Sequence, residues 1–463
     1  MITVGWMRGR GKKMACIGWR RTANAFALMH GIELFHFREK DIDFPNKRIL
    51  GEFWDVEKGC YTEKITPIPE IIHDNRFWPK DKIRRKLIKN GVTFTWIDLE
   101  SKKKVDEVLR KTPIKNYLID TFDYNTVDIN DLIDKYQDII LKPRNSLSGK
   151  GIYKLSRIED TYFLHSGHEK EELSAEEFST YDNIFREENY LVQEYIDSRT
   201  NDGKPFDVKI YLIRSGDNAS WEHLPLLPRV GSSLGVVSNV ASGGNAFVYS
   251  DKFLEEEFGE DWLEIEQQMQ DMLDSLPQSL QTGYKDTLNT LGVDVGFDRR
   301  TNKIKIFEVN GTISGTPNRM EFCEQAILLF KRVHKEMQEK KVSAEVKKLA
   351  VRKHAILPSH LLSVKKEAFK GSKALRKVTV AKSTIEIQAR TFADCKNLRE
   401  IIIPPSVKSV ANDAFVNCPK LKIVGVKDSY AQNYAHQHGI KFLTNQQFQW
   451  LQLKRKIKSK LKK

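Results

Sequence analysis

Short apolar runs broken by polar turns mark the first 120 residues. Residues 15–19 (Ala-Cys-Ile-Gly-Trp) and 32–37 read as strands, with a helical stretch over 22–30 between them. Residues 71–73 form another short strand, and 80–90 a basic helix. That alternation predicts a small open-sheet α/β lobe. A helix opens at Lys102 and runs over 102–111. Further on, 139–143 and 152–155 are apolar strands around a glycine-rich turn, and 169–178 reads as an acidic, exposed helix. Residues 191–196 alternate, 206–209 and 224–228 are strand-like, and 263–276 and 321–337 have the apolar spacing of packed helices. Two more apolar strands, 292–298 and 306–310, flank the turn Arg299-Arg300-Thr301-Asn302. The charged stretch 340–353 is helical in composition and extends the preceding helix or links it to the C-terminal segment.

That C-terminal segment is repetitive. Phe369, Phe392 and Phe415 are spaced by 23 residues, as are Leu375, Leu398 and Leu421. Val378, Ile401 and Val424, then Val380, Ile403 and Val426, place one alternating strand in each unit, and Val364, Ile387 and Val410 add another apolar position. A period in the twenties with one strand per unit means stacked repeats of leucine-rich type. Each unit is similar to the BspA-like leucine-rich repeat, with its "A-F-x-x-C-x-x-L" cue at Ala414-Phe415 to Cys418 and Leu421. The expected form is a short β-solenoid-like stack, closed by a cap at 429–435. Such stacks present a binding surface.

Composition narrows the class. The chain has 463 residues with 40% hydrophobic content, enough for about three domains. No segment reaches the ~20 apolar residues of a membrane span, and Arg8, Arg10, Lys12 and Lys13 follow the start without the apolar core of a signal peptide. Five scattered cysteines without a C-x-x-C fit free thiols in a reducing cytoplasm. Eleven dispersed histidines show no zinc ligand set. The net charge of +14 invites an acidic partner, yet the basic residues read as spread along the chain, densest in the tail 454–463. No nucleic-acid motif accompanies them.

Candidate chemistry concentrates in three places. In Ile306-Phe307-Glu308-Val309-Asn310, Glu308 and Asn310 project from one face of a strand. Asp294 sits fourteen residues earlier, and hairpin pairing across 299–302 would bring it to Glu308. Hard oxygens at this spacing suit Mg²⁺ that also takes phosphate oxygens. Taken alone, the pair is equally a solvated strand face. In 139–152, Lys142 ends a strand and Ser148, Gly149, Lys150 and Gly151 form a loop able to approach phosphates. It is not the G-x-x-x-x-G-K-[ST] loop, and an ordinary hairpin with a basic tip is the competing reading. Gln193-Glu194-Tyr195-Ile196 could present its backbone to an adenine edge, or be a plain amphipathic strand.

Together these residues resemble the ATP-grasp superfamily over roughly 100–320, and within it the YheC/YheD group of endospore-coat-associated proteins. Cues for the group are Pro69 to Arg76, Ser101-Lys102, and Ser238-Asn239-Val240-Ala241-Ser242-Gly243-Gly244. The resemblance implies an ATP-grasp fold, α/β (α+β), with two lobes clamping ATP behind an N-terminal open-sheet lobe. It places Lys102, Lys142, Ser148, Gly149, Lys150, Gly151, Gln193, Glu194, Tyr195, Ile196 and Asp207 around ATP. It makes Asp294, Glu308 and Asn310 the ligands of Mg²⁺ (or Mn²⁺), and Lys209 and Arg229 the catalytic cations. Lys209 stands where the family carries arginine, which loses the bidentate fork. Gly311 to Pro317 replaces the usual E-V-N-S-x-P-G ending.

The expected organisation is an N-terminal lobe (1–119), a nucleotide-covering lobe (120–200), a metal and acceptor lobe (201–345), repeats with a cap (346–445) and a basic tail (446–463). The expected activity is ATP- and Mg-dependent carboxylate–amine ligation through an acylphosphate, on a peptide, an amino acid or an envelope or spore-coat component. An ATP-binding structural protein docking through its repeats is the alternative. The expected location is the cytoplasm, with association to the spore coat or the inner face of the envelope as the variant of that reading. A protein or acidic polymer would meet the repeats and tail, and nucleic acid is the least favoured partner.

Overall fold

The structure is a computed structural model that describes residues 1–9, 17–75, 81–144, 151–166, 169–216, 219–231, 246–247, 252–312 and 319–460. It divides into two compact units, Met1–His334 and Lys335–Lys463.

The first unit holds three sheets. In the N-terminal sheet, strand Ile2–Arg8 lies between parallel partners Ile32–Arg38 and Ile71–Asn75. Thr93–Phe94 extends one side, and the hairpin Arg48–Asp55 and Cys60–Pro67 the other. Val4, Trp6 and Met7 are fully buried, as both faces of a central parallel strand require. The strand expected over 15–19 is absent where the chain is described, since helix Ile17–Met29 begins there. Ala23 and Ala27 are buried in it at helical spacing. A three-residue apolar run does not distinguish strand from helix; the longer periodicity does.

A six-stranded sheet comes next, ordered Glu169–Leu173, Thr161–Ser166, Tyr153–Ile158, Asp138–Pro143, Tyr190–Glu194, Thr121–Asp123. Here the helix expected over 169–178 is corrected. Glu169–Leu173 is a charged edge strand pairing with Thr161–Ser166, and charge on an edge discourages further pairing. The helix is Ala175–Glu187, started by a capping box between Ser174 and Glu177.

The third sheet runs Ala246–Phe247, Leu227–Val230, Phe206–Ile213, Thr290–Asp298, Lys303–Asn310. Helix Trp262–Gln281 buries Ile265, Met269, Met272, Leu276 and Leu280 with Val293, Val295, Ile304 and Ile306 in one core. Helix Lys102–Leu109 contributes Val105 and Leu109 to it.

Helix Arg319–Ala350 takes in most of the 340–353 stretch. In the second unit, strands His354–Ile356, Lys377–Thr379, Glu400–Ile402, Lys422–Gly425 and Lys441–Thr444 form a parallel ladder. Ser363–Val364, Glu386–Ile387 and Ser409–Val410 form a second. Lys377 pairs with Glu400, and Ile387 with Val410, so these rungs advance by the sequence period of 23. The next step is 22, which corrects the expected places of Val424 and Val426: Ile401 pairs with Ile423, which takes the core position, and Val426 is exposed. Phe369, Phe392 and Phe415 stack with centroids 5.0 and 5.4 Å apart and planes within 11° and 6°. Gly371, Asp394 and Asn417 hold the same turn at positive φ, a conformation that glycine, asparagine and aspartate tolerate best. Helix Tyr430–Gln437 occupies the expected cap position.

Charge is partitioned rather than spread. Residues 335–463 carry 29 Lys and Arg against 9 Asp and Glu, a net +20. The first unit is therefore net acidic, at −6, which corrects the even distribution read from the sequence. No helix among the described residues is long and apolar enough to cross a membrane.

Candidate functional site

The hairpin of Thr290–Asp298 and Lys303–Asn310 places Asp294 directly opposite Glu308, and Gly292 opposite Asn310. Register shifts between Asp294 and Val295, whose partner is Ile306, so Phe307 is the extra residue of a bulge. The bulge matters because it resets the strand's alternation. Ile304, Ile306 and Val309 all enter the core, leaving Lys305, Glu308 and Asn310 off it. Phe307 turns over Gly296, where an added Cβ would sit 2.1 Å from the Phe307 Cζ.

Asp294 is also the register partner of Lys209, and Asp207 that of Arg229. Four charges therefore converge from three strands. Lys209 Nζ lies 2.7 Å from Asp294 Oδ1. Arg229 donates to both Asp207 oxygens, at 2.6 and 2.7 Å, and reaches Asp294 Oδ2 at 3.3 Å. Burial disfavours the guanidinium charge, but Asp207 and Asp294 outweigh it and raise the Arg229 pKa. The fork that Lys209 lacks is thus present on Arg229.

Lys102, Lys103 and Lys104 separate in the structure. Lys103 faces Glu107 at 3.8 Å and Lys104 pairs with Glu100, whereas Lys102 Nζ reaches Glu308 Oε1 at 3.2 Å. The Ser101 hydroxyl caps that helix by accepting from the Lys104 N–H. Lys142 projects from the neighbouring sheet, and its pKa is pushed down to about 8 by burial and then by Lys102, against the pull of Glu308 and Asp106. So Lys102, Lys142 and Glu308 share one electrostatic neighbourhood.

Along the 193–196 segment, the Gln193 amide donates to Thr121 Oγ1 at 2.6 Å, and Glu194 lies 3.7 Å from Lys305 Nζ. Tyr195 and Ile196 are buried. Lys154 Nζ stands 4.1 Å from the Tyr195 ring centroid, and Arg300 donates to the Tyr195 carbonyl. The Glu194 and Tyr195 N–H groups donate to the Asp120 and Asp138 carbonyls. Lys154, Lys305 and Arg300 were missed in the sequence. Lys154 stands in an alternating strand and Arg300 in a hairpin turn, neither with a motif, and Lys305 joins the face of Glu308 only through the bulge. Gly151 has φ +71°, and a Cβ there would meet Pro143 at 3.0 Å. Ser148, Gly149 and Lys150 lie outside the described residues, as do 232–245 and 313–318.

The donor set fits a divalent cation in part. Both Asp294 oxygens face cations, while among the described residues Glu308 pairs with Lys102 alone, whose side chain is 71% exposed. Asn310 adds a hard oxygen beside Glu308. No group of three His, Cys, Asp or Glu side chains gathers among the described residues, so a metal here needs oxygens from a bound phosphate.

A family model described as YheC/D like ATP-grasp matches residues 92–350. The chain belongs to the YheC/D-like ATP-grasp family. Use of ATP with a divalent metal is general to ATP-grasp proteins. A BspA type leucine-rich repeat model matches residues 350–443 in six copies. The chain is 21% identical to the endospore coat-associated protein YheC of Bacillus subtilis (strain 168) over 48% of its length, and 20% identical to YheD over 60%. These alignments span 65% and 63% of the two relatives. Among solved structures, N5-carboxyaminoimidazole synthetase from Staphylococcus aureus with ADP aligns at TM-score 0.40 and 11% identity, covering 71% of this chain and 77% of that one. D-cycloserine synthetase DcsG aligns at 0.39 and 7%, covering 71% and 99%.

Proposed function

We propose that this ATP-grasp protein is an ATP- and Mg²⁺-dependent carboxylate–amine ligase. The supporting observation is the convergence of Lys102, Lys142, Glu308 and Asn310 from three separate elements, with two half-buried cations, Lys209 and Arg229, behind them. Lys142 and Lys102 would neutralise the ATP phosphates, with the loop at 148–151 covering them. The 193–196 segment would take the adenine, and Glu194 or Asp207 its polar surroundings. Glu308 and Asn310, with Asp294 behind them, would hold Mg²⁺ (or Mn²⁺), which would supply positive charge to offset that of the phosphates. A substrate carboxylate oxygen would attack the γ-phosphorus, forming acylphosphate and releasing ADP. An amine would then attack the acyl carbon and expel phosphate. Lys209 and Arg229 supply fixed positive charge near the transferring group. Lobe closure would exclude water from the labile intermediate. On this reading 120–200 and 201–345 are the two clamping lobes, 1–119 precedes them, and 346–445 with the 446–463 tail docks a partner.

A second reading is favoured by the net +20 of residues 335–463 and by the names of the two coat-associated relatives. In it ATP orders the fold, and the basic repeat unit attaches the protein to an acidic coat or envelope layer. Screening pooled amino acids and peptides for substrate-dependent release of ADP and phosphate separates the two. Release that depends on a carboxylate and an amine together supports the ligase; binding of Mg·ATP without turnover on any pool supports the structural reading.

A further inference from the structure

We propose that the N-terminal lobe carries an oxyanion site, built from Arg8, Arg20, Arg38 and the His36 ring, that takes a carboxylate or phosphate group. Arg8 and Arg38 are register partners at the carboxyl ends of adjacent parallel strands. Open α/β sheets bind ligands at that edge, beside the strand where the order reverses. Ile2–Arg8 is that strand here, since its neighbours Ile32–Arg38 and Ile71–Asn75 lie on opposite sides.

The local charge does not balance. Glu52 accepts from Arg8 and Arg20 at 2.6 Å each, one oxygen apiece, so one carboxylate serves two guanidinium groups. Arg38 has Asp41 at 3.6 Å. Three cations thus face two anions, although the Arg20 side chain is only 5% exposed and that of Arg8 13%. Buried charge without a partner is costly, so an excess cation in such a place calls for an anion.

An independent observation concerns hydrogen bonding. Among the described residues, the buried Nε atoms of Arg8, Arg20 and Arg38, His36 Nδ1 and Trp6 Nε1 have no hydrogen-bond partner, the Arg38 Nε facing Asp41 only at the 3.6 Å of its ion pair. The amide nitrogen of Asn24 lies 3.1 Å from His36 Nε2. If that amide donates, Nε2 accepts and the proton sits on Nδ1. Burial, Arg20 and Arg8 hold His36 well below its usual pKa, so the ring stays neutral with that single proton. The Asn24 amide nitrogen also has the Arg20 carbonyl at 2.9 Å and the Tyr61 hydroxyl at 3.1 Å, so the firm donors are the three arginine Nε groups and Trp6 Nε1. Buried donors are normally paired, and a ligand offering only acceptors satisfies them while cancelling the excess charge. The Tyr61 ring lies 3.9 Å from the Arg20 guanidinium, and the Trp19 ring 4.9 Å from that of Trp6. The site does not depend on the ligase reading.

The test is calorimetric titration of the full chain with inorganic phosphate and, separately, with succinate, in low salt and with saturating ADP. We expect one-site binding of at least one probe, weakened about tenfold or more in Arg38→Gln and Arg8→Gln but unchanged in Lys142→Ala. The preferred probe tells phosphate from carboxylate. Should Arg8→Gln fail to fold because Glu52 loses a partner, Arg38→Gln carries the test, since its side chain is 27% exposed. Absence of binding by both probes, or an affinity that follows Lys142 rather than Arg38, overturns the proposal.

Discussion

Lys142→Met separates a lysine kept for its charge from one kept for its packing. In the folded protein its pKa falls from 10.5 to about 8, through burial and then Lys102, opposed by Glu308 and Asp106. A folded pKa below the unfolded one means that folding disfavours the protonated form. The penalty is fully present below pH 8, shrinks as pH rises toward 10.5, and is gone above it. At about 1.36 kcal/mol per pH unit this is roughly 3 kcal/mol at neutral pH, trimmed to about 1–2 kcal/mol by partial exposure. Methionine keeps most of the stem and removes the charge. The variant should therefore gain about 1–2 kcal/mol of unfolding free energy at pH 7, and less than half of that gain near pH 9.5. ATP affinity should move the other way, falling about tenfold or more at pH 7 for one lost phosphate contact. The wild type should lose affinity as pH rises past 8, while the variant stays flat. Urea melts at both pH values and calorimetric ATP titrations check this. A variant that is less stable yet binds ATP like its parent would refute the reasoning and move the nucleotide elsewhere.

Glu308→Gln keeps the shape and removes a ligand whose salt-bridge partner is an exposed lysine, so metal-dependent ATP turnover should drop by orders of magnitude with an unchanged melting curve. Asp294→Asn, by contrast, leaves Lys209 and Arg229 short of a buried counter-charge and should cost about 3–5 kcal/mol in urea melts. Asp298 should not rescue it, because that carboxylate is held by the Asp197 N–H, Arg300 and Thr301. Phe392→Ala opens a cavity between two stacked rings and should lower repeat stability by roughly 3–5 kcal/mol. Hydrogen exchange should show that loss in 354–444 and leave ATP binding intact.

Much of the architecture is legible because it is periodic. The 23-residue repeat appears in the register of two successive turns, and the next step shortens to 22, which spacing alone did not show. The pairing of Asp294 with Glu308 follows from two apolar strands and a short turn. Local signals misled where a run was short or a cap was overlooked: 17–19 begins a helix, and Ser174 with Glu177 starts one six residues later than its acidic content implied.

The family, the order of the strands that carry the site, and the repeat period could all be read from the chain unaided, because each rests on spacing along it. Which charges meet was settled only by packing. Helix phase selected Lys102 from three consecutive lysines, and one bulged phenylalanine put Lys305 on the face of Glu308. Strand pairing made Arg229 the fork that holds Asp207, and the N-terminal sheet gathered Arg8 and Arg20 around Glu52, with Arg38 and Asp41 beside them. The physical reason is common to all of these. Electrostatic energy depends on separation and burial, and residues 14, 22 or 44 positions apart acquire both only once the sheets have formed.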